Sequence, residues 1–220
     1  MPDIDELGTV DGFVDLLRQE RLVAVLRSVH TTHYESVVEQ LITQGIRVIE
    51  LTLTATDPYA TLARVNERFG SAAIVGMGTL LTRQDAIDAI NAGARFLVTP
   101  LLVPDVIAVA RQRGVPVIAG ALSPTEIYQA VSQGANAVKV FPASAVGPRY
   151  LREIAGPLPG LALMPSGGVD VDDVGPWLAA GAAAVSLGGS LIGRALDGDT
   201  DGLDRRIDHA VRAAHGDSRP

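Results

Sequence analysis

The chain contains one lysine, and the position of that lysine suggests a chemical role. Lys139 is the single lysine among 18 basic residues. It lies in the apolar, β-branched run Ala137 to Phe141, which predicts a strand. Side chains alternate along a strand, so Lys139 points to the face opposite Val138 and Val140. If that face is a buried interior, the neutral amine is favoured, and a neutral amine attacks carbonyl carbons to form a Schiff base. The alternative is a strand lysine that extends to solvent.

Glu50 is a second charged residue within an apolar strand pattern, Val48 to Leu53. Glutamate is a poor strand former and is costly to bury without a partner, so it is expected to have one or to do chemistry. One interpretation is a general acid and base beside the Schiff-base lysine. The other is a salt bridge with Arg27 or Lys139. Both can hold, because a base near an amine is paired with it at rest.

Arg27 and Thr79 follow predicted strands and are candidates for binding an anionic substrate. The planar guanidinium of Arg27 suits a carboxylate, although an ion pair at the rim is equally compatible with its position. Thr79 follows the predicted turn Gly76-Met77-Gly78, where the missing glycine side chains would let a ligand approach closely. Taken alone, the threonine is a weak signal.

Two glycine pairs follow the last two predicted strands. They are Ser166-Gly167-Gly168 and Gly188-Gly189-Ser190. Either pair alone is compatible with an ordinary turn. In eight-stranded α/β barrels, however, the loops after strands seven and eight often bind phosphate through main-chain amides and a helix amino end. Together the two pairs therefore predict a phosphate site.

Eight short apolar runs, each followed by a helical pattern, would position these residues. They begin about 20 to 26 residues apart, which fits a (β/α)8 TIM barrel in the α/β class, with its active site at the carboxyl ends of the strands. The predicted strands are Leu22–Leu26, Val48–Leu53, Ala73–Val75, Phe96–Thr99, Val115–Ile118, Ala137–Phe141, Leu161–Met164 and Ala183–Leu187.

Several signals define the rest of this single domain, residues 1–220. Ser123-Pro124-Thr125-Glu126 predicts a helix start, with a capping residue, a first-turn proline and a capping-box glutamate. An extra helix over residues 10–20 would close the amino end of the barrel, and the tail over residues 216–220 is expected to fray. The rival is a doubly wound open sheet, but Arg27-Ser28-Val29-His30 replaces the glycine-rich dinucleotide turn which that fold would have after its first strand.

The composition excludes several functional classes. Hydrophobic residues make up 47% of the chain, charged residues 20%, and the net charge is −7. A folded protein with this charge and scattered arginines is not expected to bind nucleic acid or an anionic membrane. No apolar run is long enough to span a bilayer and the start of the chain is acidic, so we expect a cytoplasmic protein. Without cysteines or a cluster of histidines and acids, we expect no metal and no cofactor.

Five ordered motifs resemble one known family, the KDPG/KHG aldolases, which act on 2-keto-3-deoxy-6-phosphogluconate and 4-hydroxy-2-oxoglutarate. The resemblance covers about residues 22–196. The motifs are Val23 to Arg27, Ile49 to Thr52, Gly76 to Thr79, Val138 to Pro142 with Gly147-Pro148, and Pro165 to Val169 followed by Gly188 to Ser190.

The resemblance implies a class I aldolase that releases pyruvate and glyceraldehyde 3-phosphate and assembles as a homotrimer. It implies that Lys139 forms the Schiff base and that Glu50 is the acid and base, working through a water. It further implies that Arg27 and Thr79 bind the carboxylate and that Phe141 packs beside the imine. The implied phosphate-binding residues are Gly167, Gly168, Gly189 and Ser190, and Ser166 and Gly188 complete the predicted substrate-binding set.

Four positions depart from common members of the family. Thr54 stands where some members have an arginine, and Met77 and Ala119 replace a common alanine and proline. Ser166 replaces a threonine whose identity looks tied to the configuration at C4 of the substrate. The galactonate analogue and 4-hydroxy-2-oxoglutarate therefore stay open as substrates. A barrel enzyme that uses Glu50 without covalent chemistry, and a catalytically silent assembly protein, stay open as alternatives.

Overall fold

Eight short apolar segments form one parallel sheet, in which each strand pairs with the next along the chain. The computed structural model describes residues 12–216. The strands are β1 Leu22–Leu26, β2 Val48–Thr52, β3 Ile74–Gly78, β4 Leu97–Val98, β5 Val117–Ala121, β6 Ala137–Val140, β7 Leu163–Pro165 and β8 Val185–Leu187. Strand β1 also pairs with β8. The Ala183 amide donates to the Leu163 carbonyl at 2.9 Å, which joins the two remaining edges. The predicted TIM barrel is confirmed.

Helices surround the barrel and alternate with its strands. They are α1 Phe13–Glu20, α2 Tyr34–Thr43, α3 Pro58–Phe69, α4 Arg83–Asn91, α5 Pro104–Arg113, α6 Pro124–Ser132, α7 Arg149–Ala155, α8 Val174–Ala179, α9 Gly189–Ile192 and α10 Leu203–His215, with short 3-10 turns at Ala143–Ala145, Val171–Asp173 and Ala195–Asp197. The predicted capping box at the start of α6 is present, because Ser123 and Glu126 cap each other's amides. None of the helices within residues 12–216 is long and apolar enough to cross a membrane.

Helix α1 closes the amino end of the barrel, as predicted. Phe13, Leu16 and Leu17 are at most 1% exposed and belong to the cluster that fills this end of the interior. The ring of Phe13 lies 5.4 Å from that of Phe96, centroid to centroid. The first residues predicted for this helix, and the expected frayed tail from 217 onward, lie outside the described residues.

The prediction that Gly76, Met77 and Gly78 form a turn is wrong. They lie in strand β3, in register with Glu50, Leu51 and Thr52 of β2. Glycine is a poor strand former in isolation, but here its missing side chain provides space. A Cβ atom on Gly76 would lie 2.6 Å from the ring of Phe96. Close packing inside the barrel therefore overrides the local preference.

The same reason explains the position of β5. The sequence pattern placed this strand at Val115–Ile118, whereas it runs from Val117 to Ala121 and includes Gly120. A Cβ atom on Gly120 would lie 2.2 Å from the carbonyl carbon of Pro100. The other strand boundaries agree with prediction to within about two residues.

We expect Leu17→Ala to destabilise the protein by about 2–5 kcal/mol, because it leaves a cavity in the plug at the amino end of the barrel. Urea unfolding of the purified chain measures the change. Asp15→Ala, on the exposed face of the same helix, is the matched control and should have little effect. Equal stability of Leu17→Ala and the unsubstituted chain would contradict the role of α1 as a plug.

Candidate active site

The two charged residues that the sequence places inside strands form a buried ion pair. Lys139 on β6 and Glu50 on β2 are 4% and 0% exposed. The Nζ atom of Lys139 donates to both carboxylate oxygens of Glu50, at 3.3 Å each. The prediction that Lys139 faces the barrel interior is confirmed. The alternative, a lysine that extends to solvent, is wrong. An amine and a carboxylate in direct contact can exchange a proton, which is what carbonyl chemistry on the amine needs.

Space for the carboxylate of Glu50 comes from Gly78. A Cβ atom at residue 78 would lie 2.0 Å from Oε1 of Glu50. No side chain other than hydrogen fits at this position while the carboxylate stays where it is. Gly78 therefore has a positional role that follows from strand β3 lying directly beside β2.

The ring of Phe141 lies next to the lysine amine. Nζ of Lys139 is 5.7 Å from the ring centroid, within the range of a cation–π contact. Behind the ring lies Gly167, which has a φ of 83° and whose Cβ would be 2.6 Å from the ring. The glycine thus meets two requirements at once, a left-handed backbone and contact with Phe141.

A cavity of about 430 Å³ opens at the carboxyl ends of the strands and reaches Lys139. It brings together nine of the residues that the sequence singled out as site residues. These are Arg27, Lys139, Phe141, Ser166, Gly167, Gly168, Gly188, Gly189 and Ser190. Glu50 lies behind Lys139, fully enclosed. The cavity is large enough for a small sugar acid, and the amine of Lys139 lies in its wall.

The two glycine-rich turns meet at one end of this cavity. The hydroxyl of Ser190 donates to the carbonyl of Val169 at 2.8 Å, which ties the turn after β8 to the turn after β7. Gly168 has a φ of 70°, and a Cβ there would lie 2.7 Å from the side chain of Ser144. The two glycine pairs therefore lie together, and Val169 and Asp170 complete this end of the cavity wall.

Thr79, like Glu50, does not line the cavity. It directly follows β3 and has a φ of 67°, a left-handed conformation that is uncommon for threonine. Backbone strain of this kind is often concentrated at functional sites.

Other hydroxyl groups at the strand ends have structural partners. Thr52 donates to the carbonyl of Leu26 at 3.2 Å. A second hydrogen bond, 2.7 Å long, joins its hydroxyl to that of Thr54. Thr99 accepts from the amide of Gly120 at 3.0 Å. These side chains stabilise the carboxyl end of the barrel. Within residues 12–216 no group of three histidines or acids lies close enough to hold a metal ion.

Comparison with known proteins identifies the family. The family model described as "Aldolase: KDPG and KHG aldolase" matches residues 14–205. The chain belongs to this family. It is 33% identical over 171 residues to a protein of Rhizobium meliloti (strain 1021) named a probable 2-dehydro-3-deoxy-6-phosphogalactonate aldolase, covering 77% of this chain and 81% of the relative.

Two further similar proteins carry names that refer to the gluconate-derived and the galactonate-derived substrate. A 2-dehydro-3-deoxy-phosphogluconate aldolase of Treponema pallidum (strain Nichols) is 31% identical over 166 residues, covering 75% of this chain and 79% of the relative. A solved structure described as native KDPGal has a TM-score of 0.81 at 28% identity, covering 87% of this chain and 93% of that one. This KDPG/KHG aldolase is thus a lyase on a TIM-barrel fold.

Sequence reasoning missed two residues in this KDPG/KHG aldolase. Ser186 on β8 is 1% exposed, lines the cavity, and accepts a hydrogen bond from the Ser166 hydroxyl at 3.1 Å. Its signal was a polar residue between Val185 and Leu187 in an apolar strand. Tyr34 on α2 accepts from the amide of Ser28 at 3.1 Å. No strand-end pattern pointed to it.

Tyr34 holds the segment after β1 that carries Arg27. Its hydroxyl also donates to the carbonyl of Leu26 at 3.3 Å, so it bonds to the chain on both sides of Arg27. Burial raises the pKa of Tyr34, which keeps the phenol protonated and able to donate. The side chain of Arg27 is exposed at the cavity mouth, and the hydrogen bonds of Tyr34 hold the backbone on both sides of it.

We expect Gly78→Ala to displace the Glu50 carboxylate from Lys139 and to lower aldolase turnover roughly 100-fold, within the range for loss of general acid and base catalysis. A crystal structure of the variant would measure the movement and a steady-state assay the rate. Gly175→Ala is the control, because its Cβ would have no neighbour closer than 3.8 Å. Full activity in Gly78→Ala would mean that the position of Glu50 does not matter.

Proposed function

We propose that this chain is a class I aldolase that cleaves 2-keto-3-deoxy-6-phosphogluconate, or a close analogue, to pyruvate and glyceraldehyde 3-phosphate. The observation that carries the proposal is the buried contact of Lys139 with both oxygens of Glu50 at the floor of the cavity. A lysine in this setting is 4% exposed and has a proton acceptor in contact. Family membership supports the same reaction class.

The reaction starts on the amine of Lys139. Glu50 accepts a proton from the ammonium, and the neutral amine adds to the C2 ketone of the substrate. Glu50 returns that proton to the hydroxyl of the resulting carbinolamine, which leaves as water and gives an iminium ion. This cation draws electron density from the C3–C4 bond, so it serves as the electron sink for cleavage. The ring of Phe141 lies beside the reacting nitrogen, where its π face stabilises positive charge.

Cleavage needs a base for the hydroxyl on C4. Once the iminium has formed, its nitrogen keeps one N–H where the ammonium had three, so Glu50 has an oxygen free to accept from a water. The carboxylate takes the C4 hydroxyl proton through that water. The C3–C4 bond breaks, its electron pair forms the enamine, and the aldehyde leaves. Protonation at C3 and hydrolysis of the imine then release pyruvate and regenerate the amine. Acid and base catalysis of this kind contributes roughly 10²–10⁴ in rate.

Substrate binding is divided between the two ends of the cavity. Arg27 binds the carboxylate of the keto acid, supported by its place in the cavity lining and by the fork geometry of the guanidinium. Thr79 is the second carboxylate ligand, a role that rests on the family resemblance because its side chain is outside the lining. The phosphate binds at the turns of Gly167, Gly168 and Gly189 with Ser190, where main-chain groups face the cavity.

The identity of the sugar acid is a finer proposal than the reaction. The relatives named above include both gluconate and galactonate aldolases at nearly the same identity. Ser166, which lines the cavity, is the position tied by resemblance to the C4 configuration. We take 2-keto-3-deoxy-6-phosphogluconate as the first substrate to assay, followed by the galactonate analogue and 4-hydroxy-2-oxoglutarate.

Incubation with pyruvate and borohydride should attach one reduced pyruvate to the intact chain, because borohydride reduces the imine to a stable amine. Intact mass measures the adduct, and the single lysine makes its position unambiguous. Lys139→Ala is the matched control and should stay unmodified. The unsubstituted chain incubated with borohydride alone should also stay unmodified.

An unmodified protein in the presence of pyruvate would favour the alternatives. A barrel enzyme that uses Glu50 without covalent chemistry predicts that Lys139→Arg keeps substantial activity, since arginine preserves the ion pair. A silent assembly protein predicts no turnover of any keto acid. The class I mechanism predicts that Lys139→Arg is inactive, because a guanidinium does not form an imine.

A homotrimer is the second part of the proposal, and a cytoplasmic location stays a prediction. Large apolar side chains are exposed on consecutive units of the barrel, with Leu81 at 50%, Leu101 at 52% and Tyr128 at 62%. Leu81 and Leu101 follow the neighbouring strands β3 and β4, and Tyr128 lies on α6. Exposed apolar residues on adjacent elements are typical of an interface between subunits.

Light scattering should give a solution mass of three chains, and Leu101→Glu should reduce it because a buried, unpaired charge opposes association. Glu67→Lys, on the exposed surface of α3, is the control and should leave the mass unchanged. A single-chain mass for the unsubstituted protein would remove the trimer from the proposal.

A further inference from the structure

Ser186 is a buried polar residue in the wall of the cavity, and the mechanism above leaves it without a role. It is 1% exposed and lies on β8 between the apolar Val185 and Leu187. Its hydroxyl group accepts from Ser166, Oγ to Oγ at 3.1 Å. A hydroxyl in an interior of this kind needs a partner, and an alanine would fill the same space without that requirement. Burying the two hydroxyl groups therefore costs free energy that an alanine would not, which suggests that they have a function.

The position of the pair along the cavity indicates which substrate atom it faces. The substrate is attached at C2 to Lys139, and its phosphate end extends to the turns of Gly167, Gly168 and Gly189. The C4 hydroxyl must lie between these two anchors, since C4 is two bonds from C2. Ser166 directly follows β7 and precedes the turn of Gly167 and Gly168. Ser186 lies on β8, just before the turn of Gly188 and Gly189. Both line this part of the cavity.

The hydrogen bond between the serines sets which way the Ser166 hydroxyl presents itself. Because Ser166 donates its hydrogen to Ser186, its remaining lone pairs are the acceptors available to a ligand. A serine hydroxyl without such a partner rotates among three staggered positions and accepts from several directions. Fixing one direction favours one placement of the water that carries the C4 hydroxyl proton to Glu50, and with it one configuration at C4.

We infer that Ser186 is a positioning residue that holds the hydroxyl of Ser166 so that the enzyme selects the configuration at C4. The inference rests on the proposed function, because it takes the substrate to be bound at C2 by Lys139. Ser186 acts through Ser166 and has no part in imine formation. The substrate class it selects is one C4 epimer of a 2-keto-3-deoxy-6-phospho sugar acid.

The test compares kcat/KM for the gluconate-derived and galactonate-derived C4 epimers. In the full chain one epimer should be preferred, and Ser186→Ala should move the ratio about 3- to 10-fold towards unity, the effect of one lost hydrogen bond. Ser186→Cys, with similar volume and a weak hydrogen-bonding group, should move the ratio in the same direction. Ser36→Ala, on the exposed side of α2, is the control and should leave the ratio unchanged.

A double-mutant cycle separates positioning from direct contact. Adding Ser186→Ala to Ser166→Ala should change the ratio no further, because Ser186 has nothing left to orient. Independent, multiplicative effects of the two substitutions would overturn the inference. So would an unsubstituted enzyme that treats the two epimers alike, or a Ser186→Ala variant with an unchanged ratio.

The pyruvate and borohydride adduct distinguishes this inference from the proposed function. Pyruvate has no C4, so the yield of the adduct should be the same in Ser186→Ala as in the unsubstituted chain. If the unsubstituted chain forms no adduct, the proposed function fails. If the adduct forms in both and the epimer ratio does not move, the proposed function stands and the role of Ser186 is wrong.

Discussion

The burial of one ammonium and one carboxylate in contact is the constraint on which the rest of the site depends. Removing two charges from water costs several kcal/mol for each, and only a partner in good geometry offsets this. Lys139 and Glu50 meet that requirement with two contacts of 3.3 Å. The pair is therefore stable at rest. In the proposed reaction the substrate converts the amine to an iminium, which keeps one N–H where the ammonium had three, so substrate binding opens a hydrogen-bonding position on Glu50.

The barrel supports this pair by dividing its interior into two ends. At the amino end, large apolar side chains and α1 fill the space. At the carboxyl end, small residues leave room, as Gly78 does for Glu50 and Gly167 does for the ring of Phe141. Packing at one end provides stability, and missing side chains at the other provide a cavity. Both are properties of the same eight strands.

The sequence predicted the barrel, α1 as its plug, the inward lysine and most of the cavity lining, because each depends on a local pattern. Strand periodicity and the single lysine are visible without the fold. Gly76 and Gly120 were assigned wrongly, since their strand conformation follows from contacts with Phe96 and Pro100, which lie just before and just after β4. Ser186 was missed for a related reason. A serine in a strand is unremarkable until the fold places it against Ser166.

How much of the site could be predicted from the sequence differs between the two halves of the substrate, pyruvate and the aldehyde. In the proposed reaction, the pyruvate half is bound by the lysine, the glutamate and the arginine, whose chemistry is specific to their residue types. The proposed ligands of the aldehyde half are hydroxyl and main-chain groups, which accept many ligands and derive their selectivity from orientation. The inferred source of that orientation is Ser186, which is 20 residues from its hydrogen-bond partner Ser166 in the sequence. Family motifs therefore predict the reaction better than they predict which sugar acid is the substrate.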